Sequence, residues 1–162
     1  MRPRQYFLVI LMTALALCVS GARAQMPNPY GAPISLENAK KAAATTIAEA
    51  HKNGWTMAVA IVNPDGTLVY FEKMDGTQNA SAQIAIDKAR TSALYKRPTK
   101  AMQDALAAGG EGWRILRLAG ATPVERGMPL LADGKIIGAI GVSGGTSAQD
   151  GQCARASAEL FK

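Results

Sequence analysis

Apolar residues recur at helical spacing along residues 36–52, where Leu36, Ala39, Ala43, Ile47 and Ala50 share one stripe. Ser35 stands before that stripe as an N-cap, and Asn53-Gly54 closes it as a C-cap. The period then changes. Trp55 to Val62 is mostly apolar and predicts a strand covered on both faces. Asn63-Pro64-Asp65-Gly66 reads as a turn, and Thr67 to Met74 as the returning strand, broken by Asp75-Gly76. Residues 78–97 return to helical spacing. Ala82, Ala85, Ile86, Ala89 and Ala93 lie on one face, and Lys88, Thr91 and Tyr95 on another. Thr99 to Ala108 predicts a short helix that ends at Gly109-Gly110. The weakest pattern runs from Glu111 to Gly127, where Trp113 to Leu118 fits one further short strand before a turn-rich passage. Met128 to Ala132 and Lys135 to Val142 flank Asp133-Gly134, a hairpin signal. A last helix is predicted from Ser147 to Phe161.

Strands joined by hairpins rather than by helical crossovers imply an antiparallel sheet with helices packed on it, an α+β fold in one domain. Two segments precede it. Residues 1–24 have the composition of a secretory leader: Arg2 and Arg4, an apolar run over residues 6–19, and Ala22-Arg23-Ala24 as a cleavage site. Residues 25–34, rich in proline, read as an extended arm, and the domain proper occupies 35–162. Cleavage would leave 138 residues, enough for one core, and a periplasmic or secreted location is expected. No other stretch is long enough to cross a bilayer, so no membrane role is expected once the leader is gone.

Charge narrows the choice of partner. The chain carries 18 Lys+Arg against 12 Asp+Glu, a formal net charge of +6. Loss of Arg2, Arg4 and Arg23 with the leader brings this to +3. No basic cluster is interleaved with aromatics, so nucleic acid is not an expected partner; a preference for anionic small molecules is. One cysteine, Cys153, remains after the leader, which excludes an intramolecular disulfide. With a single histidine, His51, it also excludes an ordinary Cys/His zinc site.

Gly141 to Gly145 spells G-x-S-x-G between the last strand and the last helix. A serine hydrolase would need a histidine after Ser143, whereas His51 precedes it, and the strands pair as hairpins. Two readings of the turn remain. Gly144, Gly145, Thr146 and Ser147 can present free N–H groups to a carboxylate or phosphate at a helix N-terminus. Alternatively, Thr146 or Ser147 simply caps the helix.

Longer blocks carry a family resemblance. DGKIIGAIGVSGGTSAQDGQCARAS (133–157) resembles the C-terminal signature of the GlcG/HbpS family of haem-binding proteins, related to the C-terminal domain of a corrinoid adenosyltransferase. MDGTQNASAQIAIDKARTSALYKRPTK (74–100) and NGWTMAVAIVNPDGTLVYFEKMDG (53–76) resemble two further blocks in the same order. The resemblance implies an antiparallel sheet of about five strands with helices on both faces, assembly into homo-oligomers, and haem as cofactor. Haem degradation is proposed for some members. The chain departs from the pattern at Asn63, where the family commonly has aspartate.

Haem presents an apolar ring, two carboxylates and an iron that accepts His, Met, Cys or Tyr. On that basis His51 is the imidazole candidate for the metal, and Tyr95 a phenolate candidate. Arg90, Arg97 and Lys100 are candidates for the carboxylates, beside the 144–147 turn. Met57, Met74, Met102 and Met128 read as core or interface fillers, and Cys153 as a buried apolar group.

Overall fold

The structure, a computed structural model, describes residues 27–161. The expected leader and the first two residues of the arm lie outside the described residues.

Helix α1 spans Leu36–Lys52 and begins as its sequence predicts, with Ser35 Oγ accepting the Asn38 N–H at 3.2 Å. Strands β1 (Ala58–Val62) and β2 (Leu68–Lys73) form the first hairpin. Helix α2 covers Ser81–Leu94 and α3 covers Thr99–Ala107. Strands β3 (Gly127–Ala132) and β4 (Lys135–Ser143) form the second hairpin, and α4 (Ser147–Ala158) closes the chain. At the second turn, Asp133 and Gly134 have φ of 49° and 70°, the pair of left-handed residues that a two-residue hairpin loop requires.

The sheet has four strands in the order β2-β1-β4-β3, every pair antiparallel. Two expectations are corrected here. The sheet does not have about five strands, and Trp113–Leu118 is not one of them. Gly110–Arg117 forms a 3₁₀ helix folded back on α3. The reason is steric and local. Gly109 and Gly110 both take positive φ, and a Cβ at Gly112 would lie 1.7 Å from the Ala105 carbonyl oxygen, so the chain doubles back against the helix it has just left. The arm supplies the nearest thing to a fifth strand: a single parallel bridge from Tyr30 to Ile136, with Gly31 N–H on the Ile136 carbonyl at 2.8 Å.

Helices cover both faces of the sheet. Val59, Ile61, Leu130, Ile140 and Val142 meet α1 and α4 on one face. Ala58, Ala60, Val62 and Ala139 meet Ala85, Ala89 and Ala93 of α2 on the other. No helix among the described residues is long and apolar enough to cross a membrane.

Candidate functional site

The glycine turn is occupied by its own helix. Gly145 N–H donates to Asp150 Oδ1 at 2.8 Å and Thr146 N–H to Gln149 Oε1 at 2.8 Å. Gln149 N–H returns to Thr146 Oγ1, completing a capping box. These two donors therefore serve α4. Ser143 is buried and donates to the Ser81 hydroxyl at 3.2 Å, with no imidazole beside it.

Beneath the turn lies a buried ion pair. Lys88 and Asp150 are each 3% exposed, with Nζ 3.2 Å from Oδ2. Lys88 also donates to the Val142 carbonyl at 3.0 Å. Burial pushes the Lys88 amine below its ordinary value, and Asp150 partly restores it. The close approach of α2 explains the burial: a Cβ at Gly141 would lie 2.0 Å from the Ala85 carbonyl oxygen, so nothing but glycine leaves room for the helix backbone. A second buried pair, Arg126 to Glu125 at 2.6 Å, adjoins the first.

The basic group predicted on residues 88–100 is divided by the helix. Lys88 and Thr91 point inward, whereas Arg90, Arg97 and Lys100 are exposed. Arg90 bonds the Gly66 carbonyl, Arg97 the Tyr95 carbonyl and Lys100 the Asp104 carboxylate. Tyr95 donates to the Ala119 carbonyl at 2.7 Å, anchoring the loop after the 3₁₀ helix. Asn63 closes the turn after β1, and its side-chain oxygen is buried with no hydrogen-bond partner.

Two cavities take over the role of candidate site. The first is a slot of about 430 Å³ whose apolar lining is Pro98, Met128, Pro129, Leu131, Ile136 and Ala158. Lys96 and Arg155 stand on its rim, with Asn28 and Glu159. Five segments build it: the arm, the α2–α3 turn, β3, the start of β4, and the end of α4. Edge strand β3 tolerates Pro129, which has no N–H to pair. Tyr30 fixes the arm, donating to the Ala93 and Leu94 carbonyls at the end of α2, while the Lys96 ammonium lies 4.0 Å above its ring. A smaller annex of about 170 Å³ shares Pro98, Met128 and Arg155 with the slot and adds Lys100, Glu125, Arg126 and Gly127.

The second cavity is a cleft of about 530 Å³ along β2, lined by Ile47, His51, Trp55, Glu72, Lys73, Met74 and Asp75 among others. Its lining shares no residue with the slot, so His51 and Lys100 do not belong to one site. The slot and annex together suit a flat apolar body bearing carboxylates. The cleft offers an imidazole, but with Glu72 and Asp75 against Lys73 it repels anions. Sequence reasoning missed Lys96, Arg126, Arg155 and Leu131. Only the basic run Lys96 to Lys100 hinted at them, because residues from distant segments share no local period. Cys153 is buried, and its thiol is pushed up to about 11 chiefly by that burial, as suits an inert core group.

The architecture is an α+β domain, a four-stranded antiparallel sheet with helices on both faces, carrying an apolar slot with Lys96 and Arg155 in its lining. The sequence model of the haem-degrading HbpS-like proteins matches residues 34–159, and the chain belongs to that family. Protein GlcG of Escherichia coli K12 is 38% identical over 95 residues, which is 59% of this chain and 69% of GlcG. A double mutant of HbpS from Streptomyces reticuli superposes with a TM-score of 0.74 at 29% identity, covering 82% of this chain and 89% of that one. The fold also matches a PduOC–haem complex at a TM-score of 0.72 and 23% identity, covering 80% of this chain and 97% of PduOC.

Proposed function

We propose that the protein binds haem in the slot between the arm, β3 and the end of α4, and so buffers or senses it. The observation that carries this reading is the slot itself: an apolar cavity of about 430 Å³ with cations on its rim. Met128, Pro129, Leu131 and Ile136 would hold the ring by apolar contact and shield it from water. Lys96 and Arg155 orient the carboxylates, with Lys100 reaching them from the annex. Met128 supplies a thioether, one of the side-chain groups that iron accepts. Bound haem contributes an iron centre for small-ligand or electron chemistry. Family membership and the likeness to a haem complex support the same reading. The leader-like composition of residues 1–24 supports export to the periplasm or beyond. Trp113 and Leu116, 64% and 66% exposed, support assembly with further copies of the chain.

His51 gives a second reading, favoured by its place in the cleft beside Trp55 and Met74. Haemin titrations of the mature protein separate the two. Wild type is expected to give a saturable Soret shift. Leu131→Glu, which puts an anion in the slot, should weaken binding by about tenfold or more, whereas His51→Ala should leave it unchanged. The reverse pattern would move the site to the cleft. Spectra of free haemin at every ratio would end the haem reading altogether. Degradation, which the family description raises, predicts catalase-resistant loss of the Soret band with a reductant and a defined product.

A further inference from the structure

Arg126 is costly to build. Its φ is 100°, a backbone conformation that residues with side chains rarely adopt. Its side chain is only 12% exposed, and its Nε has no hydrogen-bond partner. It lies across Gly151, where a Cβ would come within 2.1 Å of one terminal guanidinium nitrogen. Gly151 sits inside α4, a position at which glycine costs about 1 kcal/mol relative to alanine. Backbone strain at one residue and a weakened helix at another thus serve a single end: they seat one arginine on the wall of the annex. Glu125 pairs with Arg126 at 2.6 Å, and Nε remains buried without a hydrogen-bond partner. Lys100 and Arg155 line the same small space. The annex acids are Glu125 and, through Lys100, Asp104. Burial holds Arg126 below its ordinary value; Glu125 and, more weakly, Asp150 act against that shift, while Arg155 adds to it.

We propose that the annex is a built anion site centred on Arg126. It takes an anionic oxygen group the size of a carboxylate or phosphate, and it selects slot ligands that carry one. The selection clause rests on the haem reading; the anion site does not. A carboxylate entering beside Pro98 meets Arg126, Lys100 and Arg155 in the annex lining, a planar arginine being the side chain best suited to such a group. The geometry also sets the direction of entry, since annex and slot share Pro98, Met128 and Arg155.

Two measurements on the mature protein test this, each with wild type, Arg126→Gly and Gly151→Ala. Arg126→Gly removes the guanidinium and relieves the positive φ but leaves Glu125 without its partner. Each variant's phosphate effect is therefore read against its own melting temperature in chloride, and Gly151→Ala, which keeps the pair's charges, carries the test if Arg126→Gly is too unstable. Gly151→Ala keeps the charge but drives it out of place. The first measurement follows the melting temperature in inorganic phosphate against chloride at matched ionic strength. Phosphate should raise it in wild type and in neither variant. An equal rise in all three proteins overturns the proposal. The second compares haemin with haemin dimethyl ester. Wild type should favour haemin, and both variants should lose that preference by about tenfold. An Arg126-dependent phosphate effect with an unchanged haemin preference keeps the anion site but overturns its role in ligand selection. If wild type binds no haemin, the haem reading and the selection clause fall, and the phosphate measurement still decides the anion site.

Discussion

The two faces of the sheet are packed on opposite principles. Toward α1 and α4 the strands present Val59, Ile61, Leu130, Ile140 and Val142, large side chains that interdigitate and hold the helices off. Toward α2 they present mostly alanine and glycine, with Val62 and Phe71 at its margin, and at Gly141 the helix backbone lies almost against the strand. The branched face gains its stability from buried apolar area. The small-residue face buries less area per residue and gains proximity, which brings Lys88 under the sheet to reach Asp150 and the Val142 carbonyl. Chemistry follows the second face. Its buried charges continue through Glu125 and Arg126 into the annex, whereas the polar groups buried on the branched face are uncharged: the Thr46 and Ser157 hydroxyls between α1 and α4, and the Cys153 thiol.

Adjacent residues offer the sharpest way to break this contrast, because Ile140 and Gly141 point to opposite faces. Adding one methyl by Gly141→Ala should cost about 4 kcal/mol or more, since the atoms in its way at 2.0 and 2.6 Å are helix backbone. Removing one methyl by Ile140→Val should cost about 1 kcal/mol. Urea midpoints at constant slope measure both, and equal costs would refute the difference in packing.

Next in size is Lys88→Met, which leaves Asp150 charged and unpaired in the interior. A loss of about 3 kcal/mol is expected. Adding Asp150→Asn removes the stranded charge while keeping an acceptor for Gly145 N–H, and should recover at least about 1 kcal/mol. A double mutant no more stable than Lys88→Met would show that the pair contributes packing rather than charge.

A further test lies on the branched face and depends on pH. The unfolded Cys153 thiol ionises at its ordinary 9.0, the folded one only near 11. Across that window the unfolded chain releases the proton first, so wild type should lose stability relative to Cys153→Ala as pH rises from 9.0 to about 11, and not below it. Parallel stability curves for the two proteins would show the thiol to be less enclosed than its burial indicates.

Much of the fold was legible because its signals are local. Ser35 before an apolar stripe, Asp133-Gly134 between two apolar runs, and Thr146 three residues before Gln149 each set a backbone conformation within a few residues. Residues 113–118 were misread because their apolar side chains fit a strand as well as a turn of helix. The contact of Gly112 with Ala105, which decides the matter, belongs to the packed state. The candidate site was legible only in fragments. Lys88 and Arg90 are two positions apart on one helix and equally basic, yet one is buried and the other solvated, and only the partner surface distinguishes them. By itself, then, the sequence determined the order and caps of the elements, the hairpins and the family. Tertiary structure alone decided which charges go inside and where the slot opens, because five segments from Asn28 to Glu159 build that slot and no local spacing encodes their meeting.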